Sequence, residues 1–172
     1  MSATALLLTG TVGVGKTTTA DQVANLLRAA AVPHAVVDLD ELSRCWPAPT
    51  GDPFHQQLQL ANLRAVAGAY RAAGAERLVL AGVCESRHDR DSLEAAVGVP
   101  LQVCRLRGSA AVVAARLEWR HVDDAEGLAW HLNRRGELDA VLDLAAVADV
   151  EVVVDGLQPS AVAVQVLAAV GW

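Results

Sequence analysis

With 172 residues, 53% of them hydrophobic and 20% charged, the chain is long enough to bury a proper core and too apolar to be disordered; one domain is the most economical reading. A net charge of −6 excludes a broad nucleic-acid or anionic-membrane surface, so any phosphate binding has to be local. No uninterrupted apolar run approaches the roughly 20 residues of a membrane span. An N-terminus that passes at once into a strand leaves no room for a signal peptide, which points to a cytoplasmic protein.

In chain order, continuous apolar runs predict strands at Ala5–Thr9, His34–Asp38, Arg77–Val83, Leu101–Leu106 and Val150–Val154. Such runs, unlike alternating ones, suit a parallel sheet buried on both faces. Helical patterns lie between them, at Lys16–Ala31, Pro53–Ala73, Asp89–Val97, Ser109–Val122, Asp124–Arg134, Gly136–Val147 and Pro159–Val170. Gly74, Gly98 and Gly108 punctuate element ends, and Pro159 suits a helix first turn. Regular β–α alternation predicts a doubly wound α/β fold, with ligand sites at the carboxyl ends of the strands.

The first strand runs into Thr9-Gly10-Thr11-Val12-Gly13-Val14-Gly15-Lys16-Thr17-Thr18. Gly10, Gly15, Lys16 and Thr17 keep the G-x-x-x-x-G-K-[ST] spacing of a phosphate-binding loop. Glycines let the backbone curl so that the N–H groups from Gly13 through Val14 to Thr18 face one concavity. The helix that follows adds the positive end of its dipole. Lys16 is then expected to reach the β- and γ-phosphates of ATP, and the Thr17 hydroxyl to ligate Mg²⁺. Of the 14 basic residues only Lys16 is a lysine, so the chain keeps its single ammonium where a compact charge on a flexible stem is wanted.

The second strand ends Val37-Asp38-Leu39-Asp40-Glu41, on the same rim as the loop. A carboxylate there would position an acceptor hydroxyl against the γ-phosphate. Asp40 is the first choice and Asp38 the second, since Asp38 also suits the Mg²⁺ shell; both alternatively cap the short helix at Glu41. Downstream, Arg44, Trp46 and Phe54 sit in or beside a Pro/Gly-rich loop, with Asn62 and Arg64 on the next helix, as candidate acceptor contacts. The loop aromatics suit a pocket or a small cluster under the loop alike. No aspartate closes the third strand, and Glu85 is the nearest substitute.

Arg116 and Arg120, four apart, share a helix face and suit a lid that closes over phosphates; Arg134-Arg135 is a second such pair. The three cysteines and five histidines show no metal or disulfide spacing, and Cys84 and Cys104 read as small buried hydrophobes.

These features resemble the small-molecule P-loop kinases: adenylylsulfate, gluconate and shikimate kinases, and especially chloramphenicol phosphotransferase. The resemblance rests on the Gly10–Thr17 loop, the Val37-Asp38-Leu39-Asp40 strand end and the Arg116-x-x-x-Arg120 pair, and runs over nearly the whole chain. It implies the P-loop NTPase, nucleoside-monophosphate-kinase-like fold: three α/β/α layers, a parallel five-stranded sheet and a helical lid over about residues 109–136. It also implies an ATP- and Mg²⁺-dependent transfer to a small-molecule hydroxyl, with Asp40 at the base position. The segment Cys45–Asn62 carries no acceptor signature of any one of these kinases, so no acceptor is named. A nucleotide-binding sensor without transfer activity is the alternative. Neither ATP over GTP nor the oligomeric state is legible.

Overall fold

The computed structural model describes residues 3–172. Five strands, β1 (Thr4–Thr9), β2 (His34–Asp38), β3 (Arg77–Ala81), β4 (Leu101–Arg107) and β5 (Val150–Val153), pair in parallel in the order β2-β3-β1-β4-β5. The helices are α1 (Lys16–Ala29), α2 (Gln56–Ala72), α3 (Arg87–Val97), α4 (Ala110–Arg120), α5 (Ala125–Ala145) and α6 (Pro159–Val170).

The continuous apolar runs have the cause the sequence suggests. Along β1, Leu6 and Leu8 join Val23, Leu27, Val113 and Val166 on one face of the sheet. Ala5 and Leu7 join Leu63, Ala67, Leu93 and Val97 on the other. Each face therefore contributes its own buried layer, which makes three layers in all. The order places β1 at the centre, between β3 and β4, so the segment leaving its carboxyl end lies where chain crossovers diverge to either side, the usual position of a ligand crevice.

Two differences from the sequence reading go beyond a residue or two at an element end. The segment expected as two helices broken at Gly136 is one helix, α5. Gly136 is exposed and a Cβ there meets nothing within 4 Å, so the residue lowers helix propensity without breaking the helix. Helix α2 begins at Gln56 instead of Pro53, because Asp52, buried in the turn before it, accepts a 2.9 Å bond from the Leu58 N–H and fixes the start there.

Candidate active site

Between β1 and α1 the chain curls through a glycine loop. Gly10 (φ +144°) lies so close to β4 that a Cβ would sit 2.6 Å from the Leu106 carbonyl oxygen. Gly13 (φ +79°) packs under α4, where a Cβ would sit 2.9 Å from Leu117. Both positions need glycine for backbone conformation and for space. Gly15 precedes α1, whose open N-terminus carries no side-chain cap. Its orphan N–H groups face the loop with no acidic residue in the first turn to occupy them.

Lys16 folds back over this loop. Its Nζ donates to the Gly10 carbonyl at 3.1 Å and to the Thr11 carbonyl at 3.2 Å. Burial pushes the ammonium below its ordinary range; the Asp40 and then the Asp38 carboxylate oppose that shift, and the Arg120 charge adds to it. The cation is thus held by two neutral carbonyls, which an anion with stronger acceptors would displace.

Thr17 and Asp38 meet across the rim: Thr17 Oγ1 donates to Asp38 Oδ2 at 2.8 Å. The other Asp38 oxygen accepts the Asp40 N–H at 3.0 Å. A hydroxyl beside a carboxylate at the mouth of an anion cup is a hard-oxygen donor set that fits a water-rich Mg²⁺. Among the described residues no cluster of three or more His, Cys, Asp or Glu side chains gathers as a metal cage. The oxygen pair and a nucleotide's own phosphates would carry the ion instead.

Asp40 is exposed on the same rim and precedes a 3-10 turn at Glu41–Ser43 without capping it through its side chain. Arg116 crosses from α4 and donates to the Val14 carbonyl in the loop at 2.7 Å. Arg120, one helical turn on, is exposed and makes no hydrogen bond or ion pair among the described residues, although its charge is felt at Lys16.

The remaining candidates lie farther round the rim. Arg44 is exposed and pairs with Glu41 at 2.9 Å, and Trp46 is 93% exposed. Asn62 donates to the Leu42 carbonyl at 2.8 Å, tying α2 to the turn after Asp40. Glu85 follows β3 and accepts from Arg134 of α5 at 2.6 Å. Val14 is buried in the loop, and Thr18 is exposed at the start of α1.

Beside this rim, between α2 and α3, opens a cavity of about 370 Å³ whose lining includes Phe54, Gln56, Gln59, Glu85, Asp89 and Ser92. Apart from Phe54 and Glu85, the sequence reading did not single these residues out. One signal was available: Ser86 and Asp89 stand at helix-capping spacing, and Ser86 Oγ does accept the Asp89 N–H. Asp89 in turn accepts the Glu85 N–H at 3.1 Å and so shapes the loop that ends at the cavity.

The fold is that of the small-molecule P-loop kinases. A tunicamycin resistance protein from Deinococcus radiodurans superposes with a TM-score of 0.67 at 21% identity, over 98% of this chain and 96% of that one. An APS kinase from Mycobacterium tuberculosis, solved with AMPPNP and APS, gives 0.63 at 19%, over 99% of both chains. A gluconokinase from Sinorhizobium meliloti gives 0.58 at 22%, over 97% and 91%. No family model and no curated protein sequence matches the chain. Among the described residues no helix is long and apolar enough to cross a membrane.

Proposed function

We propose that the protein is an ATP- and Mg²⁺-dependent phosphotransferase acting on a hydroxyl group of a small molecule. The observation that carries this reading is the Thr17–Asp38 contact at 2.8 Å beside a loop whose only lysine already lies folded into it. The fold shared with an APS kinase solved with AMPPNP and APS supports it.

Nucleotide phosphates would be held by the loop amides of Gly10, Gly13 and Gly15 and by those of Lys16, Thr17 and Thr18, joined by the Val14 N–H once it leaves the Thr11 carbonyl at 3.3 Å, with Lys16 moving from the Gly10 and Thr11 carbonyls onto phosphate oxygens. Thr17 would ligate Mg²⁺, and Asp38 would orient the Thr17 hydroxyl and the metal's water shell. Bound there, the metal supplies charge neutralisation at the leaving phosphate oxygens. Asp40, exposed and unspent on capping, would accept the acceptor hydroxyl's proton. Arg116 and Arg120 would close over the transferring group from α4; Arg116 already touches the loop at the Val14 carbonyl.

The test pairs two variants with two readouts. Lys16→Ala should lose about 10²-fold or more in transfer rate. Asp40→Asn should keep Mg·ATP binding in calorimetry and abolish acceptor-stimulated ADP formation. Equal loss of ATP binding in Asp40→Asn would move that residue into the metal shell. Saturable ATP binding with no acceptor-stimulated turnover across a panel of metabolites and antibiotics would favour the sensor.

A further inference from the structure

Two imidazoles meet where α4 passes into α5. His121 ends α4, its backbone N–H donating to the Leu117 carbonyl, and His131 lies in the second turn of α5. Their ring centroids are 4.6 Å apart with the planes inclined by 33°, and Trp130 packs edge-on against His131 at 4.9 Å.

The hydrogen bonds of the pair decide which nitrogen of each ring is bare. His131 Nδ1 lies 2.7 Å from the Gly127 carbonyl oxygen, which only accepts, so Nδ1 carries the proton and the neutral ring keeps its lone pair on Nε2. His121 Nδ1 lies 3.2 Å from Asp124 Oδ2. The Gly127 N–H, and after it the hydrogen bond from His121, hold the Asp124 carboxyl below its ordinary range, so this partner too is an acceptor. The bare nitrogen of His121 is then also Nε2, and that atom is buried without a hydrogen-bond partner. An unpaired ring acceptor away from water is a cost that only a donor or a Lewis acid removes.

Histidines that ligate metals have this arrangement: the N–H of one nitrogen is fixed by a carboxylate or a backbone carbonyl, and the other nitrogen faces the ion. Metal–nitrogen bonds of about 2.0–2.1 Å, with each ring nitrogen about 1.1 Å from its centroid, place two imidazoles on one tetrahedral ion about 5 Å apart between centres. The pair at 4.6 Å is close to that separation. We infer that His121 and His131 bind one zinc-class divalent ion through their Nε2 atoms. No third His, Cys, Asp or Glu side chain completes a cage among the described residues, so water fills the remaining positions. Two neutral nitrogens discriminate against Mg²⁺, which prefers oxygen, so this site and the Thr17–Asp38 pair take different ions. The bound ion ties the end of α4 to the second turn of α5 across the connection at His121–Asp124. Its effect on closure of Arg116 and Arg120 rests on the kinase reading; the site itself does not.

The experiment titrates Zn²⁺ into the isotope-labelled full chain without nucleotide and follows the ring nitrogens of the histidines by NMR. The Nε2 signals of His121 and His131 should move together and saturate near one equivalent, and a large excess of Mg²⁺ should not reverse the change. His131→Gln should weaken binding about 100-fold or more, and Asp124→Asn, which keeps a helix-capping oxygen but removes the charge behind His121, about tenfold. Ring signals of His121 and His131 that ignore Zn²⁺, or a response confined to the exposed Cys45 or to other histidines, would overturn the site. Unchanged affinity in His131→Gln would overturn it as well. The amide signals of residues 10–18, followed on a separate sample given Mg·ATP, report on the kinase reading independently of the zinc result.

Discussion

Asp38 separates two roles for the acids at the end of β2, and Asp38→Asn is the perturbation that tests them. Its two oxygens are spent on Thr17 Oγ1 at 2.8 Å and on the Asp40 N–H at 3.0 Å. Asparagine keeps one acceptor oxygen and the shape of the side chain, so the main loss is one negative charge next to the proposed metal ligand. At an effective dielectric of about 20, unit charges about 4 Å apart interact by roughly 4 kcal/mol, which bounds the effect from above. Asp38 is only half-buried and would act through Thr17 and water, so the relevant scale is that of outer-shell carboxylates. Removing one of these lowers metal affinity about 10- to 100-fold, or roughly 1.4–2.8 kcal/mol. Calorimetric titration of ATP at stepped Mg²⁺ concentrations reads this without knowledge of the acceptor. The Mg²⁺ midpoint should rise by that factor, while ATP binding in chelator stays equal or tightens, since a charge that repels phosphate is gone. Thr17→Val should act on the same midpoint, and the double variant should cost little more than the worse single one. An unchanged midpoint in Asp38→Asn would refute the metal-shell role and reduce Asp38 to a turn-forming residue.

Two further outcomes test the loop and the interior. Gly13→Ala places a Cβ 2.9 Å from Leu117 at φ +79°, adding roughly 1–2 kcal/mol of backbone strain to about 1–3 kcal/mol of overpacking; urea unfolding should show a loss of that order, and a change within about 0.5 kcal/mol would contradict the close approach of α4 to the loop. Burial raises the Cys84 thiol to about 11 and the Cys104 thiol to about 12, while Cys45 is exposed, so an aromatic disulfide reagent should titrate one thiol in the native protein and all three in denaturant. Because these raised values penalise the thiolate in the folded state, stability should fall as pH rises above the ordinary thiol value of 9.0.

The sheet was legible because each of its strands answers to a local cause. Leu6, Leu7 and Leu8 are buried on alternate faces, and a run that must be apolar on both sides announces itself without any partner in view. The loop was legible for the same reason, since Gly10 and Gly13 are demanded by backbone conformation and by neighbours that the fold itself supplies. The cavity lining was not, because Gln56 and Gln59 are oriented by oxygens of Asp89 and Leu39, which belong to other elements. Arg134 was offered with Arg135 as a second candidate lid pair, and its partner Glu85 lies 49 positions away in sequence, a contact that no local pattern encodes.

Helix α5 is the clearest case of a pattern hidden by tertiary chemistry. Only Leu138 and Leu142 are buried along its 21 residues, too few for an apolar stripe to show in the sequence. What faces the sheet beside them is acidic: Asp139 and Asp143 meet Arg105 of β4, which is 3% exposed, at 2.9 and 2.7 Å. The hydrogen bond from Arg105 is the leading cause that holds the Asp143 carboxyl below its ordinary value. That contribution to stability is present above the unfolded carboxyl value and is lost as pH falls through the folded one. A strand arginine has replaced part of the apolar contact, and so the apolar residues of the helix form no single stripe. The same pairs divide the helix mechanically. Arg105 and Arg107 pin its C-terminal half to β4 through Asp139 and Asp143, whereas the first two turns, with Glu126, Ala129 and Trp130, are largely exposed. If Arg116 and Arg120 close over a nucleotide as proposed, the movement would come from α4 and the connection at His121–Asp124, with the anchored half of α5 as the fixed end.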